Sequence, residues 1–103
     1  MAGSILVRAS SDGTATTVQS LIHHPMDSGF IKDASGALIP AHYIEVVQFA
    51  HAGTVVLTAF WGPAVSKDPF TKFSFQGGKS GDALTVSWVD NLGNKDSLST
   101  TIS

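Results

Sequence analysis

Residues 43–63 read YIEVVQFAHAGTVVLTAFWGP, and this stretch decides the fold. Two runs rich in Val, Ile, Phe and Thr flank a short turn at residues 51–54 that contains a glycine. These residue types fit a pleated, half-buried surface, and a glycine turn between two such runs indicates a β-hairpin. The stretch is therefore predicted to be the central hairpin of a small β-sandwich.

The first arm of this hairpin contains a break in its alternation. Ile44 and Val46 would point to one face of the sheet, whereas Val47 and Phe49 would point to the other. Either both faces are buried, or a β-bulge lies near Val46. The sequence leaves these two alternatives open.

Further alternating segments, separated by turn residues, lie on both sides of the hairpin. The clearest one places Leu84, Val86 and Trp88 on one face. About seven strands at this spacing predict an all-β, immunoglobulin-like antiparallel sandwich that forms a single domain over residues 1–103. A six-stranded barrel is the competing architecture. The predicted strands outside the hairpin are residues 4–9, 14–23, 70–76, 83–90 and 96–102.

Residues 24–41, called the excursion below, interrupt the strand pattern. Pro25 and Pro40 bracket the segment, and its length favours either a short hairpin or a functional loop. Residues 32–36 look like a turn between two short strands. The large apolar side chains of the excursion are predicted either to cover one end of the sandwich or to form a contact surface for a partner.

Composition excludes several classes of function. The chain has no cysteine, so it can supply no disulfide, thiolate ligand or thiol nucleophile. A net charge of −2, with scattered Lys and Arg, argues against nucleic acid as the main partner. The first eight residues lack a basic region and a long apolar run, so we expect neither a signal peptide nor a membrane span there.

The four histidines are the obvious candidates for metal ligands. His23 and His24 are adjacent, so they would face opposite ways on a strand, and His42 and His51 are too far apart on one strand to meet. Only His24 and His42, which flank the excursion, could converge. Two histidines without a nearby carboxylate make a poor metal site, so we predict no metal and no cofactor.

Catalytic groups are not evident. The serines lie in turns and on exposed strand faces without a nucleophile elbow, and no two carboxylates are spaced as an acid–base pair. Trp88 is predicted to lie in the core because it is in phase with its apolar neighbours. Trp61 ends its strand beside Gly62, and one edge of its ring is expected to remain exposed.

A set of short motifs, taken together, resembles the SoxZ family of the thiosulfate-oxidising Sox system. The motifs follow one another in family order and span nearly the whole chain. They are His24-Pro25-Met26 with Gly29, Leu38-Ile39-Pro40-Ala41-His42-Tyr43-Ile44, Trp61-Gly62-Pro63 with Val65-Ser66, Pro69-Phe70, Gly81-Asp82, and Val86-Ser87-Trp88-Val89-Asp90-Asn91 with Gly93.

The resemblance implies an immunoglobulin-like sandwich that pairs with a SoxY-like protein. In such a heterodimer, a C-terminal cysteine of the partner carries the sulfur intermediates, and the chain itself is not an enzyme. The resemblance also implies transient docking to other Sox enzymes and a periplasmic location reached with a partner that carries the export signal. A small histidine-ligated metalloenzyme and a stand-alone adhesion or sugar-binding module are the alternative functions.

The partner surface is predicted at the two ends of the central hairpin. Antiparallel pairing about the turn would bring the end of the excursion beside the exit of the second arm. The candidate interface residues are Met26, Phe30, Ile31, Leu38, Ile39, His42 and Trp61.

Overall fold

A computed structural model describes residues 3–103, which form seven β-strands and no helix. The strand bounds agree with the predicted segments to within a few residues. The strands are β1 (Ile5–Ser11), β2 (Ala15–Ile22), β3 (Ile44–His51), β4 (Thr54–Phe60), β5 (Phe70–Gln76), β6 (Ala83–Asp90) and β7 (Lys95–Thr101).

The strands form two antiparallel sheets that pack face to face. One sheet has the order β1-β2-β5 and the other the order β4-β3-β6-β7. This arrangement confirms the predicted immunoglobulin-like sandwich, and the competing barrel is not what forms. Ser103 joins the two sheets at one edge, since its backbone bonds to both Ala9 and Ser11 of β1.

The central hairpin, β3 and β4, turns at Ala52 and Gly53, which have φ angles of 49° and 88°. Two consecutive positive φ angles are those of a type I′ turn, the form that matches the twist of paired strands. The pairing of β3 with β6 shifts register between Ile44 and Val46. Of the two alternatives for the first arm, the bulge is therefore the one that forms, and it lets Ile44 and Val47 both point into the core.

The core lies between the sheets and is built from the inward faces of β1, β2, β3 and β6. Trp88 is 1% exposed, as predicted, and its indole N–H donates to the Ser4 hydroxyl at 3.0 Å. That hydroxyl in turn donates to the carboxylate of Asp96 at 2.7 Å, so the buried polar atoms of this contact are satisfied. The buried apolar side chains are Ile5, Ala9, Val18, Ile22, Met26, Ile44, Val47, Phe49, Leu84, Val86, Trp88 and Ile102.

The molecule is elongated, with principal extents of 53 × 19 × 19 Å. A strand of eight residues is only about 26 Å long, so the segments at the ends of the sandwich add much of the length. Residues 30–38 of the excursion are all exposed. The excursion therefore projects from one end instead of covering it.

Within residues 3–103, the structure contains no helix that could span a membrane.

Candidate functional site

The base of the excursion is fixed to the sandwich by backbone hydrogen bonds. Asp27 and His42 form an isolated antiparallel bridge, with N···O distances of 2.7 and 2.9 Å. The side chain of Asn91 adds two more bonds, donating to the Ala41 carbonyl at 2.9 Å and accepting from the Tyr43 N–H at 2.8 Å. These contacts hold the entry and exit of the excursion side by side.

A buried cluster of His24, His42 and Asp90 lies next to this base. Nε2 of His24 is 3.1 Å and Nε2 of His42 is 2.7 Å from the same Asp90 oxygen, Oδ2. The side chains of His24 and Asp90 are fully buried, and that of His42 is 22% exposed. The His24 ring also packs edge-on against Trp88, with ring centroids 5.1 Å apart. The cluster thus connects the excursion to the core.

Backbone and side-chain donors surround the Asp90 carboxylate. Its Oδ1 accepts hydrogen bonds from the N–H groups of Leu92 and Asn94, and its Oδ2 accepts one from the Asn94 side chain besides the two histidines. Burial alone would raise the pKa of Asp90, but the hydrogen bonds from His24, His42 and Asn94 outweigh it and lower the pKa to about 2. Asp90 is therefore a buried anion near neutral pH.

The three residues could each offer one ligand atom to a metal ion, with all three atoms within 4.8 Å of one another. The hydrogen bonds oppose that use. Nδ1 of His24 accepts the Met26 N–H at 3.2 Å, so the ring proton is on Nε2 and points at Asp90. A metal on Nε2 would require the proton on Nδ1, where it would face another donor. The arrangement therefore fits a structural hub better than a metal centre.

The exposed part of the excursion is a small hairpin at residues 30–39. Lys32 pairs with Leu38, and Ile39 N donates to the Ile31 carbonyl at 2.8 Å. Asp33 closes the turn because its Oδ1 accepts hydrogen bonds from the Ser35 hydroxyl and from two backbone N–H groups. The bond from the Ser35 hydroxyl is the main cause that lowers the pKa of the Asp33 carboxyl. The turn predicted at residues 32–36 is confirmed, although its arms form a single bridge and not full strands.

This hairpin presents three large apolar side chains to solvent. Phe30 is 84% exposed, Ile31 61% and Leu38 59%. Their exposure on a fixed base is the feature of the excursion that best fits a contact surface.

Comparison with protein-family models matches the chain to the family described as "Sulphur oxidation protein SoxZ", over residues 5–101. The chain belongs to the SoxZ family. A comparison with curated proteins finds no match. Membership of this family makes the chain a component of the Sox sulfur-oxidation system.

Six of the seven predicted interface residues separate into two groups in this SoxZ-family structure. Phe30, Ile31 and Leu38 are exposed, and three others, Ile39, His42 and Trp61, are half-buried at the base. Trp61 lies beside the start of β3, since its N–H donates to the Glu45 carbonyl at 2.9 Å. The two ends of the central hairpin are therefore adjacent, as predicted.

Met26 lies in the core and not on the predicted surface. It is 6% exposed, and its φ of 50° is in the left-handed region of backbone conformation. Its sulfur accepts the Ile44 N–H at 3.3 Å. Met26 is therefore removed from the candidate surface of this SoxZ-family chain.

Asp90 and Asn91 belong to a motif of the family resemblance, but neither was predicted as a site residue. The statement that no carboxylate lies near His24 and His42 was wrong, because Asp90 contacts both rings. A signal existed in the alternation of β6, which places Asp90 on the same inward face as Leu84, Val86 and Trp88. A carboxylate on that face requires buried donors, and histidines can supply them.

The other two histidines are not part of the cluster. His23 is largely exposed, with Nδ1 3.8 Å from Asp68, and His51 bonds to Asp82 at 2.7 Å beside the β3–β4 turn. The four histidines do not converge, as predicted.

Proposed function

We propose that the chain is the non-catalytic subunit of a carrier heterodimer. Its partner is a SoxY-like protein whose C-terminal cysteine carries sulfur intermediates between the enzymes of the system. The observation that carries this proposal is the exposed apolar hairpin at residues 30–39, held on a hydrogen-bonded base. Exposed apolar groups that the fold fixes in place cost little entropy on binding, which suits a constitutive partner surface.

Two further features support the division of roles. The chain has no cysteine, so a sulfur atom cannot be attached to it through a thiol. The most perturbed carboxylate, Asp90, is saturated by donors in a closed cluster, which leaves it no role as an acid or base toward a substrate. The chain then supports its partner and offers docking surface to the Sox enzymes.

Co-expression with a SoxY-like partner tests the heterodimer. Sedimentation equilibrium of the purified mixture should give a stoichiometric complex, and a partner in which the C-terminal cysteine is replaced by serine should assemble equally well. Separate monomers at micromolar concentrations would remove the basis of the proposal.

Intact-mass spectrometry tests which subunit carries sulfur. After turnover of thiosulfate by the complete Sox system, added mass should appear on the partner and be absent from its cysteine-to-serine variant. A covalent adduct on the chain described here would contradict a purely supporting role.

The proposal includes a periplasmic location, reached by export together with the partner. Cell fractionation should recover the chain in the periplasm when the partner carries its export signal, and in the cytoplasm when that signal is deleted. Export of the chain in the absence of the partner would contradict the proposal that the two proteins are exported together.

A further inference from the structure

On the outward face of the β4-β3-β6-β7 sheet, a row with apolar side chains on three strands lies next to a polar row. In the first row, strand register pairs Phe60 with Val46, and Val46 with Val89. In-register neighbours lie on the same face of a sheet, so these three side chains form a continuous strip. Phe60 is 79% exposed and Val89 43% exposed.

The next row along the same strands is polar throughout. Gln48 pairs with both Thr58 and Ser87, and Ser87 pairs with Ser97. The change from an apolar to a polar row occurs within two residues on β4, β3 and β6, whereas on β7 Lys95 pairs with Val89 and ends the apolar row. This boundary distinguishes the strip from scattered surface apolar groups, which need no explanation.

We propose that the Phe60–Val46–Val89 strip is the second half of the surface that binds the SoxY-like partner. The inference rests on the proposed heterodimer and extends its interface from the excursion onto the outer face of the sheet. The surface that binds the strip is an apolar face of the partner. Polar groups of the partner beside that face would lie opposite the polar row that contains Gln48.

The area that a stable complex needs supports this occupant. A standard interface buries about 800 Å² on each partner and involves about 20–30 residues a side. The hairpin at residues 30–39 contains fewer residues than such an interface needs, and it presents three large apolar side chains. The strip adds a second, nearly fully exposed phenylalanine, and one aromatic side chain can bury about 150 Å² or more.

The position of the strip also supports a single partner for both surfaces. Val46 is four residues from His42, which forms the base of the excursion, so their Cα atoms are at most about 14 Å apart. Phe60 directly precedes Trp61, which bonds to the backbone of Glu45 at that base. One protein face of ordinary size can contact the hairpin and the strip together.

Charge substitutions on one strand test the inference. Phe60→Glu introduces a carboxylate into the strip, and Val55→Glu introduces the same charge on the same strand beyond the polar row, where Val55 is 50% exposed. We expect Phe60→Glu to raise the Kd for the partner at least about ten-fold and Val55→Glu to change it less than about two-fold. Isothermal titration with the separately purified SoxY-like partner, and thermal melts of each variant, provide the measurement.

A second variant, Val89→Glu, places the new charge in the strip on β6 instead of at the end of β4. It should also weaken binding, which a purely local effect of Phe60→Glu at the end of β4 would not explain. Equal affinities for wild type, Phe60→Glu and Val89→Glu would overturn the inference while leaving the heterodimer intact. Failure of the wild-type chain to bind any partner would overturn both proposals. Loss of a homodimer in Phe60→Glu without loss of partner affinity would assign the strip to a second copy and overturn it as well.

Discussion

The two ends of the sandwich each hold a histidine–aspartate pair with the same 2.7 Å separation and a histidine side chain that is 22% exposed, yet the surroundings of the two aspartates differ. At the excursion end, His42 contacts Asp90, whose side chain is fully buried and which His24 also contacts. At the opposite end, His51 contacts Asp82, whose side chain is 24% exposed. A hydrogen bond of the same length therefore belongs to a buried hub at one end and to a partly exposed pair at the other.

The surroundings explain the difference. Asp90 holds a projecting excursion against the core, and its neighbour Asn91 bonds to the backbone of that excursion. Asp82 lies among short turns and accepts its remaining bond from Lys79 N. Water can replace the partners of an exposed pair but not those of a buried one, so burial determines the energetic effect.

The largest expected effect is from Asp90→Asn. In either orientation the amide NH2 group would face hydrogen-bond donors, the two histidines at one oxygen position or two backbone N–H groups at the other. Removing one member of a buried charged network costs about 3–5 kcal/mol. The free energy of unfolding, measured by urea denaturation, should fall by that amount. Asp82→Asn is the matched control at the other end and should cost much less. Equal losses in both variants would contradict the distinction between the two ends.

A smaller effect is the pH dependence that Asp90 contributes. Its pKa in the folded protein, about 2, lies below the ordinary value of 3.8. The stabilisation is therefore fully present above pH 4 to 5 and is lost as the pH falls through about 2, with a magnitude on the order of 2 kcal/mol. The gap in unfolding free energy between wild type and Asp90→Asn should narrow over this range. The pKa of Asp82 is also lowered, first by the hydrogen bond from His51, so that pair acts in the same direction.

The difference between the ends also shows how far the sequence could predict this molecule. The strands and the turn at residues 51–54 follow from local patterns. The hub depends on contacts between residues 48 and 66 positions apart in the chain, which local patterns do not determine. The strip depends on the bulge between Ile44 and Val46, because that bulge selects which of two adjacent valines faces outward.

Affinity for the partner should depend on the excursion end. Phe30→Ala is expected to raise the Kd of the heterodimer about ten-fold, because large, exposed aromatic side chains are typical hot spots. Phe70→Ala is the control, since Phe70 is 62% exposed on the other sheet and should change the Kd less than about two-fold. Trp61→Ala should act like Phe30→Ala, with an added loss of stability because Trp61 packs against the core. Unchanged affinity in folded Phe30 and Trp61 variants would place the interface elsewhere.

The smallest effect is a gain of stability at the opposite end. Ala52 has a φ of 49° in the type I′ turn, and alanine is strained there, whereas asparagine tolerates this conformation well. Ala52→Asn should therefore raise the free energy of unfolding by about 0.5–1 kcal/mol without changing affinity for the partner. Ala64→Asn, an exposed position without a positive φ, should leave stability nearly unchanged. If Ala52→Asn weakened partner binding, the turn end would also contribute to the interface, and the functional distinction between the two ends would fail.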